Sequence, residues 1–208
     1  MFTKKGVVNI ILVSLILGFS LSLVSNLNNF NQMFFISFLL VLTNVFFKEF
    51  AANYYDLKIE HNLWEIKRYW FHPKSYFEKP IPIGVLMPIF SFVVSAGYFV
   101  WLSILTFSSR PEIYRVAKRR GFYGYSESSE LHEGFVAFFG LFGNVLLGVV
   151  GILLGFSLFA QLNFLYAFCC SIPLGNLDGN KVLFAEQFLS KLSIIFTGCL
   201  WIFSIIFL

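Results

Sequence analysis

Residues 6–47 and 134–176 contain no Asp, Glu, Lys or Arg, and these two runs decide what the chain can fold into. A helix crosses a bilayer with about 20 apolar residues, so each run has room for two crossings. About a quarter of the residues of a soluble domain are charged. Here the share is 12%, against 58% hydrophobic residues, with mean hydropathy +0.77 over 208 residues. The chain reads as one α-helical, multi-pass membrane domain over residues 1–208, which sets soluble folds aside. Its net charge of +4 comes from basic clusters beside apolar segments, a topology signal and not a nucleic-acid footprint. The expected partner is therefore the lipid bilayer, and no nucleic acid. Cys169, Cys170 and Cys199 lie in apolar runs without a Cys-x-x-Cys spacing, and read as buried small hydrophobes.

Lys4 and Lys5 precede a first helix at 7–24. Its apolar region is long for a signal peptide and no clear small-residue cleavage site follows, so an uncleaved helix with a cytoplasmic N-terminus is expected. A polar turn, SNLNNFN, leads to a second helix at 32–53. Residues 54–80 form a cytoplasmic or interfacial loop. Alternation in LKIEHNLW (57–64) predicts a short strand there, and Trp64, Tyr69, Trp70 and Tyr76 suit an aromatic belt at the membrane surface.

Residues 81–107 are uncharged but broken by Pro82, Gly84, Pro88 and Gly97. A single crossing would place the basic loop at 108–133 (Arg110, Arg115, Lys118, Arg119, Arg120) outside, against the positive-inside tendency. A re-entrant element, helical over 84–96 and β-like over 98–107, keeps both basic loops on one side and is preferred to a spanning one. The next helix, 134–160, carries Gly140, Asn144, Gly148, Gly151 and Gly155, a small-residue face for close packing, with QLN at 161–163 as the turn. Residues 163–190 hold a helix ended by Pro173, the loop GNLDGNK and a short helix, and 192–208 is the last helix. The sum is about five transmembrane helices plus a re-entrant helix/β element.

The first charges after the opening run are Lys48 and Glu49, in the stretch KEFAA. A zinc helix of H-E-x-x-H type puts two His one turn apart on one face, with a Glu beside the first as general base. Glu49 stands in the place of that Glu, while Lys48 and Ala52 occupy the two ligand positions. Taken alone, Lys48 and Glu49 also fit a membrane edge with a snorkelling lysine. Two further stretches follow in order, Gly140-Leu141-Phe142-Gly143-Asn144 and Asn176-Leu177-Asp178-Gly179. Singly, Asn144 fits an interhelical hydrogen bond and Asp178 a helix N-cap.

Together the three stretches resemble the site-2 protease family of intramembrane zinc metallopeptidases, in the small form without an inserted soluble domain. The resemblance covers residues 32–187. It implies a site-2-protease-like core in which Glu49 matches the base and Asp178, in Leu-Asp-Gly, matches the third zinc ligand. Asn144 matches an Asn near the substrate strand, with Gly140 opening that motif and Leu141 where the family has Pro. A hydrolytic zinc site uses three protein ligands plus water, and Asp178 is the only ligand position retained. The resemblance therefore implies a catalytically inactive homologue, with no catalytic residue, no metal and no cofactor expected. His61, His72 and His132 lie in polar loops and are not expected to replace the lost ligands. Without a divalent ion, Glu49 and Asp178 would face each other in low dielectric, so Lys48 is expected to pair with Asp178, Glu49 or both.

Three functions are in play. A pseudoprotease would bind transmembrane or extended peptide segments in the former substrate groove, as an extra strand on the 98–107 element. An active metallopeptidase would hold zinc by unusual ligands. An unrelated membrane scaffold or small transporter subunit would use Asp178 beside the broken helix as an ion site. The expected location is a prokaryotic, archaeal-like cell membrane.

Overall fold

The uncharged runs fold as helices, since no other single-segment structure satisfies its own backbone in an apolar surrounding. The structure, a computed structural model, describes residues 4–25, 29–68, 76–112 and 129–207. In chain order its elements are α1 (Lys4–Ser25), α2 (Phe30–Tyr54), β1 (Leu57–Leu63), β2 (Ile66–Arg68), β3 (Tyr76–Ile81) and α3 (Ile83–Val94). They continue with β4 (Leu105–Pro111), α4 (Glu130–Leu153), α5 (Ser157–Ser171), α6 (Asp178–Ala185) and α7 (Gln187–Phe207). Among the described residues four helices are long and apolar enough to cross a membrane, α1, α2, α4 and α7, as in an integral membrane protein.

The described residues thus hold four such helices where the sequence suggests about five. Helix α5 has 15 residues, too few for a full crossing, because Ile172 leaves helical backbone just ahead of Pro173. The turn before it also differs from expectation. It falls at 154–156, where Gly155 takes φ +76°, a left-handed conformation that glycine adopts without strain. Gln161 and Asn163 lie inside α5, where Gln161 Nε2 donates to Ser204 O at 3.1 Å and Asn163 Nδ2 to Phe159 O at 2.8 Å. Gln161 thus reaches across to α7, while Asn163 bonds within α5 and its Oδ1 is buried without a partner among the described residues.

The alternation in residues 57–63 does form a strand, with Leu57, Ile59 and His61 buried and Lys58 and Asn62 exposed. It pairs antiparallel with β4, in register from Leu57↔Pro111 to Leu63↔Leu105. A second antiparallel pair, β2 with β3, was not anticipated. Trp64 leaves the aromatic belt and enters the core at 5% exposure, where a Cβ on Gly175 would lie 3.0 Å from its indole nitrogen. Tyr69, Trp70, His72, Arg115, Lys118, Arg119 and Arg120 lie outside the described residues, and Tyr76 is placed only as the start of β3.

The 81–107 segment goes out and comes back. At its start Gly84 N donates to Trp64 O at 2.9 Å, and at its end Ile104 O accepts from Trp64 N at 2.9 Å. Between them α3 ends at Val94, Ala96 and Gly97 turn through left-handed backbone, and Ser91 Oγ accepts from Trp101 N at 2.7 Å. The returning limb is extended but joins a ladder only from Leu105 onward, so the β-like half is shorter than expected. Leu102 and Ile104 are fully buried, so this non-helical backbone is wrapped in protein.

Helix α4 packs against α2, α5 and α6. Its small residues make that approach possible. A Cβ on Gly143 would meet the Phe47 ring at 2.4 Å, and one on Gly148 would meet the Phe164 ring at 2.6 Å.

Candidate site: a buried lysine–aspartate pair beside a strand edge

The buried stripe of α2 runs through Leu40, Asn44, Lys48 and Ala52, one helical turn apart. Helix α2 continues to Tyr54, so Lys48 sits inside it and not at its end. Lys48 is 0% exposed. Room for its stem comes from Gly140, where a Cβ would lie 2.7 Å from Lys48 Cγ and Cε. The structure thus places Gly140 against the lysine. Asn144, one turn on, has its amide engaged with α2: Nδ2 donates to Leu40 O at 3.0 Å and Oδ1 accepts from Asn44 Nδ2 at 3.1 Å.

Lys48 Nζ lies 2.5 Å from Asp178 Oδ2, the ion pair that the charge argument calls for. Asp178 is the first residue of α6, with Leu177 as N-cap, so its carboxylate sits in the favourable field of a helix N-terminus. Two features bring it there. Pro173 ends α5, and Gly179 lets the first turn of α6 sit on the last carbonyls of α5. A Cβ on Gly179 would meet Ser171 O at 2.4 Å and Ile172 O at 2.5 Å. Asp178 Oδ1 is buried without a hydrogen-bond partner among the described residues. Ala52, at 1% exposure, packs in an apolar cluster with Leu57, Ile59, Phe107 and Val136.

The sheet brings a histidine to the site. His61 faces inward, with Nε2 3.7 Å from Glu49 Oε1, and both ring nitrogens lack hydrogen-bond partners among the described residues. Its register partner is Phe107, whose ring centroid lies 5.4 Å from Lys48 Nζ and 3.4 Å from Lys181 Nζ. Both ammonium groups thus face one aromatic ring. His132 serves elsewhere, its Nδ1 3.0 Å from the N-cap Ser129 hydroxyl of α4.

Burial holds the His61 pKa below its usual 6.5, with the nearby Glu49 carboxylate opposing the effect and the Lys48 charge adding to it. As pH falls below 6.5, the unfolded chain takes up a proton that folded His61 refuses. Stability from this group is therefore complete above the unfolded pKa and is lost on acidification. His61→Gln is expected to flatten the fall of melting temperature between about pH 7 and pH 5. An unaltered acid limb in His61→Gln would contradict the assignment.

This donor set does not fit zinc. Lys48 brings a cation to one ligand position, Ala52 has no donor, and the near oxygen of Asp178 is committed to Lys48. Among the described residues no three His, Cys, Asp or Glu side chains cluster as a metal ion requires.

Beside the pair lies a cleft of about 610 Å³, lined in part by Asn62, Thr106, Ser109, Glu133, Asn176 and Lys181. The β1–β4 ladder fixes what β4 offers to it. Glu112 N donates to Asp56 O and Trp64 N to Ile104 O, each at 2.9 Å, so the hydrogen-bonded pairs are the even-numbered residues. Leu105, Phe107 and Ser109 therefore turn their N–H and C=O groups away from β1, onto the free edge. Lys181 Nζ donates to Phe107 O on that edge. Ser109 Oγ donates to Glu133 Oε1 at 2.5 Å, and Lys181 Nζ stands 3.9 Å from Glu133 Oε2.

Comparison of the chain with protein-family models, with curated proteins and with solved structures finds no match.

Proposed function

We propose that the chain is a catalytically inactive, site-2-protease-like membrane protein that binds extended peptide segments of other membrane proteins. The observation that carries this reading is the 2.5 Å Lys48–Asp178 pair, buried where the resemblance would put the metal and its ligands. A lysine there supplies positive charge to Asp178 without the Lewis acidity that ionises a bound water. Glu49 Oε1 then faces the His61 ring at 3.7 Å.

Peptide binding draws its support from β4. Among the described residues one edge of the strand has no strand partner, and that edge borders a polar cleft. An incoming strand exchanges backbone hydrogen bonds with Phe107 and Ser109, and alternate side chains enter the cleft. Lys4 and Lys5 support a cytoplasmic N-terminus.

A benzophenone-bearing strand peptide tests this with the full chain in lipid nanodiscs. The expected result is crosslinks to Thr106, Ser108 or Ser109 of intact peptide. Cleavage of the peptide, or crosslinks confined to the lipid-facing helices, would overturn the reading.

A further inference from the structure

The free edge of β4 is not open as it stands. Its central acceptor, Phe107 O, is taken by the Lys181 ammonium, and the same ammonium covers the Phe107 ring at 3.4 Å. Lys181 reaches there from the second turn of α6, the helix that begins with Asp178. Glu133 of α4 holds the neighbouring position through the Ser109 hydroxyl and stands 3.9 Å from Lys181 Nζ. One side chain from each of two helices thus straps the strand edge at the two residues whose backbone groups a partner strand would need. The contact is costly for a structural lysine, because its ammonium is largely buried against a ring and its carboxylate neighbour is at the limit of an ion pair.

We infer that Lys181 is a displaceable strap that autoinhibits the β4 edge: an extended peptide pairs with β4 by taking over Phe107 O from the lysine. This rests on the peptide-binding reading above and names how that site is regulated. The exchange is chemically matched, since a peptide N–H replaces an ammonium N–H at one carbonyl, and the freed ammonium turns to the cleft and Glu133. Burial lowers the Lys181 pKa to about 8, so the strap is also weakened by mild alkali. The charged groups facing it are Asp178 on its own helix, Glu133 on α4 and Lys48 on α2.

The test is binding of a fluorescein-labelled strand peptide of about eight alternating threonines and valines to the full chain in nanodiscs. Lys181→Met, which keeps length and removes the donor, is expected to bind about tenfold more tightly than wild type, the worth of one charge-assisted hydrogen bond. Ser109→Pro removes an outward N–H without touching the β1 ladder, and in the Lys181→Met background it should return binding to background. Wild type carries its own control, because raising pH from about 7 to about 9 should tighten binding in wild type and not in Lys181→Met. Equal affinity of wild type and Lys181→Met at both pH values would overturn the strap and leave the open edge standing. No binding to either protein would overturn the strap and the peptide-binding reading together.

Discussion

Replacing Lys48 with Met is expected to destabilise the protein by about 3–5 kcal/mol, the usual cost of removing one partner from a buried ion pair. The reason lies in the surroundings of Asp178. Its carboxylate is 1% exposed, one oxygen has no other hydrogen-bond partner among the described residues, and Lys48 is the cation in contact with the other. Met fills nearly the same stem volume against Gly140, so the loss reports the charge and not a cavity. Asp178→Leu should cost a similar amount by stranding the ammonium. The double variant Lys48→Met/Asp178→Leu should recover most of it, because apolar replacement of a whole buried pair is often neutral or stabilising. Unfolding in mixed detergent, read on all four proteins, gives the coupling energy directly. A Lys48→Met protein as stable as wild type would mean that the pair is incidental.

Much of this arrangement was legible from the chain, and the reasons differ by residue. The long helices follow from the absence of charge, which permits little else at that length. Strand β1 follows from a period-two pattern that survives because only one face of the sheet is buried. The Lys48–Asp178 pair was legible because a carboxylate buried among apolar segments is costly without a cation beside it.

His61 and Lys181 were not legible, and for one reason. Each meets its partners only through the β1–β4 register, which sets His61 opposite Phe107 and turns Phe107 O to the free edge. No local pattern in LKIEHNLW or in LDGNKV encodes a register between strands so far apart in the chain. The turn between α4 and α5 is hard to place from sequence because QLN at 161–163 is polar and Gly155 continues a small-residue packing pattern. The glycine supplies the left-handed turn, and Gln161 and Asn163 lie within α5. Trp64 was misread in the same way, since an aromatic near a membrane segment fits a belt until Gly84 and Gly175 are seen to make a slot for it.

We propose that Lys48 stands in a vacated metal site, and restoring the ligands tests this. Lys48 and Ala52 lie one turn apart on the buried face of α2, with Asp178 already at the lysine end. Lys48→His/Ala52→His therefore rebuilds a two-His, one-carboxylate set of the kind that holds zinc with water in the fourth position. The measurement is zinc per chain in the purified proteins, by mass spectrometry after dialysis against micromolar zinc. The account predicts less than about a tenth of an equivalent in wild type, about one in the double variant, and loss of that zinc when Asp178→Ala is added. About one zinc in the wild-type chain, or none in a folded double variant, would contradict it.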